Sequence, residues 1–152
     1  MHIIDIKILD SRIGTTFPAL KYETCGSSGL DLRACIKSNN MVIHTNQILL
    51  IPTGISIFIK DPLITAIILP RSGLGHHHGI ILGNTIGLID SDYQGELMIS
   101  IWNRSKKKFY IYPGNRVAQM IFVPIIKPIF NIVPDFQKTH RNISGFGSSG
   151  IQ

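Results

Sequence analysis

Acidic residues are scarce in this chain: nine Asp and Glu stand against fifteen Lys and Arg in 152 residues. The formal charge of +6 excludes an acidic solvating chain and points to an anionic partner, polymer or small phosphate compound. Cysteine is nearly absent. Cys25 and Cys35 have neither CxxC spacing nor a larger framework, which excludes a disulfide-stapled scaffold and reads as reduced thiols in a cytoplasmic protein. No apolar run reaches the length of a membrane span, and the N-terminus lacks a signal-peptide pattern, so no membrane partner is expected. No ten-residue stretch carries an amphipathic helical period, which removes helical bundles and βαβ repeats. Missing too are a G-x-S-x-G elbow, a Walker loop and a dinucleotide fingerprint. His76-His77-His78 looks like a metal site, but consecutive side chains cannot all face one ion. The triplet is read as a loop, and no protein side chain is assigned as a direct metal ligand.

What the chain has in abundance is isoleucine, at 29 positions, a β-branched residue that favours strands. Strand patterns run over His2 to Leu9, Leu30 to Cys35, Gln47 to Pro52, Ile55 to Ile59, Thr65 to Leu69, Phe109 to Tyr112 and Arg116 to Val123. Gly, Pro and Asn turns separate them. Many short strands with such punctuation indicate an all-β barrel or jelly roll. Lys106-Lys107-Lys108 reads as a solvated hairpin tip, and with no aromatic stripe interleaved it gives nucleic-acid binding little support. From Lys138 the chain turns rich in Gly and Ser, a composition that cannot pack as a core strand. Residues 1–137 are therefore expected to form one domain and 138–152 a flexible tail, in which Arg141 and Phe146 are unusual.

The densest chemistry lies between Gly83 and Arg104. Asp90, Asp92 and Glu96 fall within seven positions, flanked by Gly87-Leu88-Ile89 and by Leu97 to Trp102. The pattern reads as a hairpin with a longer loop. It sets Asp90 where an apolar strand gives way to a loop, partly desolvated and rigid, as a general base requires. An aspartate that only closes its turn fits the same position. Pro70-Arg71-Ser72-Gly73-Leu74-Gly75 combines a cation, a hydroxyl and glycines that let backbone N–H groups approach an anion. Cys25 to Gly29 followed by Asp31 adds small donors and a second carboxylate. Arg116-Val117-Ala118-Gln119 adds polar groups on a strand, where an arginine more often bridges sheet edges than binds ligand.

In order and spacing, Ser27 to Ala34, Pro70 to Gly75, Gly83 to Leu97, Arg116 to Gln119 and Arg141 to Gly150 resemble the five motifs of the trimeric dUTP pyrophosphatases, bacterial type. The resemblance spans nearly the whole chain and implies a jelly-roll β-barrel that hydrolyses dUTP to dUMP and pyrophosphate. It implies Asp90 as the base activating a water toward the α-phosphorus, and Arg71, Ser72, Gly73 and Gln119 as phosphate ligands. Mg²⁺ would bridge the triphosphate oxygens, and Asp31 would reach that ion through its bound waters. Asn84, with backbone from Leu88, Ile89 and Met98, would read the uracil edge. Tyr93 would lie under the deoxyribose and exclude a 2′-hydroxyl. From the tail, Phe146 would stack on uracil and Arg141 would approach the γ-phosphate. The resemblance also implies a homotrimer with sites shared between subunits. The tail departs from the family's Arg-Gly-x-Gly-Gly-Phe-Gly, because Asn142 and Ser144 stand where two glycines are usual. Two rival readings are a dCTP deaminase on the same fold and a non-catalytic nucleotide-binding module.

Overall fold

The computed structural model describes residues 2–143. Their strands are β1 (Asp5–Ile8), β2 (Leu30–Arg33), β3 (Met41–Ile43), β4 (Ile48–Phe58) and β5 (Ile64–Leu69), followed by a short helix, α1 (Ser72–His78). Then come β6 (Ile80–Leu82), β7 (Gly87–Ile89), β8 (Glu96–Asn103), β9 (Phe109–Ile111) and β10 (Arg116–Pro124). One antiparallel sheet has the order β1-β4-β8-β6, a second β2-β10-β5-β7, and β3 pairs with β9. The all-β expectation holds, as a jelly-roll-like barrel with one helix of seven residues.

Alternation builds the core. On β8, Leu97, Ile99 and Ile101 point inward while Met98, Ser100 and Trp102 point out, the period of two that a half-buried strand dictates. Ile51, Ile55, Ile57, Ala66, Ile68, Ala118 and Met120 meet them from β4, β5 and β10. Isoleucine suits this interior because its single preferred rotamer costs little on a pleated surface. Truncating one such residue, Ile99, to Ala would cost about 2–5 kcal/mol.

β4 is a single strand of eleven residues with an irregularity between Pro52 and Ser56, which explains its reading as two strands. Gly54 occupies the kink with φ of 71°, and a Cβ there would come within 2.8 Å of the Cys35 sulfur. The Glu96 carboxylate accepts the Gly54 N–H at 2.8 Å, and the Thr53 hydroxyl donates to the Leu97 carbonyl at 2.7 Å. Glu96 therefore belongs to the scaffold.

Three expectations are corrected here, and two strands are added. Asp90 to Gly95 is not a hairpin loop: β7 pairs with β5 in one sheet and β8 with β4 and β6 in the other. The connection crosses between sheets, a geometry that local alternation cannot distinguish from a hairpin. The Lys106–Lys108 run is exposed as expected, but β8 and β9 do not pair with each other either. His76, His77 and His78 form the last turn of α1, closed by Gly79 in the left-handed region, not a loop. Strands β3 and β6, of three residues each, carry too little pattern to be read from the sequence.

After Pro124 the chain leaves the sheets. Ile126, Ile129, Phe130, Ile132 and Phe136 are nearly fully exposed, with Pro128 and Pro134 keeping the segment out of helix or ladder. The Gly/Ser-rich residues from Ser144 onward, Phe146 among them, lie outside the described residues.

Candidate active site

The register of the second sheet lines up the polar residues. Gln119 on β10 stands opposite Asp31 on β2 and opposite Leu69 on β5, so the three form one row across the sheet. Two residues beyond Leu69, Arg71 is still extended, and its guanidinium Nε lies 3.0 Å from the Asp31 carboxylate. Arg116 reaches the other oxygen of Asp31 at 3.1 Å. Arg116, read from the sequence as a strand-bridging arginine, does bridge β10 to β2, and its anchor is Asp31. Two cations on one carboxylate leave net positive charge on this row, most of it facing outward.

Gln119 is positioned as firmly. Its amide Nε2 donates to the Pro70 carbonyl at 3.1 Å, while its oxygen lies within 2.7 Å of where a Cβ on Gly29 would be. A side chain at Gly29 would displace the amide, so this glycine is needed for close approach. Asp31, Arg71, Ser72, Gly73 and Gln119 line one open depression of about 370 Å³, joined by Leu74, His77 and His78. Ser72 and Gly73 are exposed, and a Cβ on Gly73 would meet nothing, so this backbone stands open to a ligand. The two histidines were missed because the triplet was weighed only as a metal site and, rejected as one, read as a loop.

The second group lies elsewhere. None of Asn84, Leu88, Ile89, Asp90, Tyr93 and Met98 lines that depression. Asn84, Leu88, Tyr93 and Met98 are exposed, Met98 on the outer face of β8. The Tyr93 hydroxyl donates to the Glu96 carbonyl at 3.1 Å and its ring lies over Gly95, which leaves no space for a Cβ there. Thr65 pins the end of β7 by donating to the Ile89 carbonyl at 2.7 Å. Asp90, the next residue, is exposed in the single chain, so the expected partial desolvation is corrected: the loop between sheets leaves its carboxylate in solvent.

The sheet measures the separation of the two groups. Ile89 pairs with Ala66, which sets Asp90 level with Thr65, four residues along β5 from the Asp31–Gln119–Leu69 row. At about 3.3 Å per residue and about 4.8 Å per strand, four residues along and three strands across give roughly 19 Å between Asp31 and Asp90. Arg141 is a described, exposed residue of the segment beyond β10.

Comparison with known proteins adds a family. The dUTPase family profile matches residues 15–150. The deoxyuridine 5'-triphosphate nucleotidohydrolase of Haemophilus ducreyi is 60% identical over 152 residues, covering 100% of this chain and 99% of the relative. That of Buchnera aphidicola subsp. Baizongia pistaciae is 59% identical over 153 residues, covering all of both chains. Among solved structures, the Staphylococcus bacteriophage 80alpha dUTPase with dUPNHPP superposes with a TM-score of 0.84 at 22% identity. It covers 99% of this chain and 100% of its own, a likeness of fold.

Proposed function

The chain belongs to the dUTPase family, and on that premise we infer that it hydrolyses dUTP to dUMP and pyrophosphate at sites assembled between copies of itself. The observation that carries the assembly is the roughly 19 Å between Asp31 and Asp90. A base acting at the α-phosphorus and a carboxylate serving the same triphosphate must lie within a few bonds of one another, and within one chain they do not. Asp90 of one copy therefore faces the Asp31, Arg71 and Gln119 row of another.

Two apolar surfaces support association. Ile48, Leu50, Met98 and Trp102 share the outer face of β4 and β8, with Leu50 opposite Ser100 and Pro52 opposite Met98. The described segment past Pro124 exposes four isoleucines and two phenylalanines. Near its base, Ile4, Ile6, Leu63, Ile64 and Phe122 line a groove of about 630 Å³. Apolar surface on this scale marks an interface, and a closed cyclic trimer buries it without leaving free ends.

Within the shared site the residues divide the work. Asp90 takes the proton from the attacking water. Arg71, the Ser72 hydroxyl, the open backbone at Gly73 and the Gln119 amide hold phosphate oxygens and stabilise charge as the α–β bridge breaks. Asn84, with backbone from Leu88, Ile89 and Met98, reads the donor and acceptor edge that separates uracil from cytosine. Tyr93 packs beneath the sugar. Residues 138–152 close over the site, with Arg141 neutralising the γ-phosphate and Phe146 stacking on the base.

The donor set fits Mg²⁺. Among the described residues no three His, Cys, Asp or Glu side chains cluster as a protein cage. One carboxylate beside a phosphate depression suits an ion that keeps several waters and binds mainly through phosphates. When bound, Mg²⁺ would neutralise charge on the triphosphate; Asp31, released from its arginines, would orient it through water. No helix among the described residues is long and apolar enough to cross a membrane. We place the enzyme in the cytoplasm, on dUTP and not on nucleic acid.

The test is release of pyrophosphate and of ammonia, measured over dUTP, UTP, dCTP and dTTP. Pyrophosphate from dUTP alone is expected. Ammonia from dCTP would make it a deaminase, and binding without either product a non-catalytic module.

A further inference from the structure

The site leaves one strong feature of the chain unused, the exposed run Lys106-Lys107-Lys108. The connection carrying it is held in one shape. Asn103 is fully buried; its amide donates to the carbonyls of Ile43 at 2.9 Å and Lys107 at 2.8 Å, and its oxygen accepts the Ser105 N–H at 2.9 Å. The Ser105 hydroxyl donates to the Lys107 carbonyl at 2.9 Å and accepts the Lys107 N–H at 3.2 Å. A buried network so fully satisfied rigidifies what it holds.

This connection is docked on the far end of α1. The Arg104 N–H donates to the Gly79 carbonyl at 2.9 Å, and a Cβ on Gly79 would come within 3.1 Å of the Ser105 nitrogen. The His78 ring lies 5.5 Å from that of Phe109, the residue after Lys108. α1 begins at Ser72 and Gly73, whose open backbone is the phosphate end of the depression, and its seven residues span about 10 Å, so the connection carrying the lysines lies roughly 12 Å from that end. The elements joined to this connection, α1, β3, β6 and β9, and residues 97–103 of β8, contain no Asp or Glu. The one carboxylate lining the depression, Asp31, is already held by two arginines. The field of the lysines toward the depression is uncompensated.

We infer that Lys106, Lys107 and Lys108 form an approach surface that draws the polyphosphate of the substrate toward the depression. The inference rests on the reading that the depression takes the triphosphate. At roughly 12 Å the lysines touch nothing that reacts, so they act on encounter and binding, and salt must screen them. Three such charges acting on a net ligand charge of about −2, that of a triphosphate carrying one divalent ion, favour it about tenfold at 0.01 M salt, where the Debye length is about 30 Å. The factor falls to about threefold at 0.1 M, where that length is about 10 Å.

The experiment compares the full-length chain with its Lys106→Gln, Lys107→Gln, Lys108→Gln triple variant on dUTP from 0.01 to 0.3 M KCl. Expected are an unchanged kcat, a kcat/KM about tenfold lower at 0.01 M and about threefold lower at 0.1 M, and convergence at 0.3 M. Lys7→Gln, on the opposite edge strand of β6's sheet, should change kcat/KM by less than about twofold. No loss at 0.01 M, or the same loss at every salt, overturns the inference. Calorimetric binding of inorganic pyrophosphate over the same salts separates the two readings. A triple variant with unchanged pyrophosphate affinity at 0.01 M overturns the approach surface. Salt-dependent pyrophosphate binding by a wild type that leaves dUTP intact supports it and overturns only the activity.

Discussion

A site divided between copies predicts that two inactive chains restore each other. Asp90→Asn removes the proposed base and should lower turnover on the order of 10²–10⁴-fold. Arg71→Ala removes a phosphate ligand and the cation paired with Asp31, and should lower turnover on the order of 10²–10³-fold. At roughly 19 Å from Asp31 of its own chain, Asp90 serves the proposed site only in another copy. In a cyclic trimer containing both variants, one site of the three joins an intact Asp90 to an intact Arg71. Equal and random assembly makes three-quarters of the trimers mixed, so about one quarter of wild-type activity should return. The assay is pyrophosphate release from co-expressed chains carrying different affinity tags, with the mixed species isolated and weighed by native mass spectrometry. Activity at the level of the single variants, in trimers shown to be mixed, would refute the divided site. It would require the loop after β7 to fold back across β5 and β10 toward Asp31, against the register of the sheet.

Tyr93→Ala should open space under the sugar and lower the ratio of kcat/KM for dUTP over UTP; an unchanged ratio means that another side chain guards the 2′ position. Ending the chain at Lys138 should preserve the trimer by sedimentation while lowering turnover roughly 10³–10⁵-fold, the range for a charge-neutralising arginine, here Arg141. Full activity would make the tail idle. The Asp10 carboxyl is held down to about 2, chiefly by hydrogen bonds from the Arg12 side chain and then from its backbone N–H. A depressed carboxylate contributes stability that is present above its ordinary value of 3.8 and lost as pH falls through about 2. The difference in Tm between wild type and Asp10→Asn at fixed concentration should therefore be constant from pH 7 to 5 and shrink between pH 4 and 2; a difference flat to pH 2 would dismiss the pair.

How much of this was legible in the sequence depends on the range of the interaction. Alternation on β8 and β5 is local, and those strands stand where the pattern puts them. Pairing is not local. Gly87 to Ile89 and Leu97 to Trp102 look like the arms of a hairpin, yet their partners, Ala66 to Ile68 on one side and Ile48 to Pro52 on the other, are 19 to 54 residues away. Three-residue strands such as β6 are created by their neighbours: Ile80 and Leu82 become strand because β8 offers Asn103 and Ile101 opposite them.

The site divides along the same line. Asp31, Arg71 and Gln119 are far apart in the chain, and only the order of the motifs linked them; the register of β2, β10 and β5 brings them into one row. Asp90 is the instructive case. Its place after an apolar strand was legible, but the inference that it is thereby desolvated fails, because burial belongs to whatever covers the loop and not to the strand before it. In the single chain Asp90 is exposed, and nothing among the described residues shields it. If it is to work as a base of tuned strength, the shielding comes from a second copy and its substrate. Catalytic environment and assembly are then one event: a chain that folds correctly but stays monomeric would hold Asp31, Arg71 and Gln119 in their row with no base beside them.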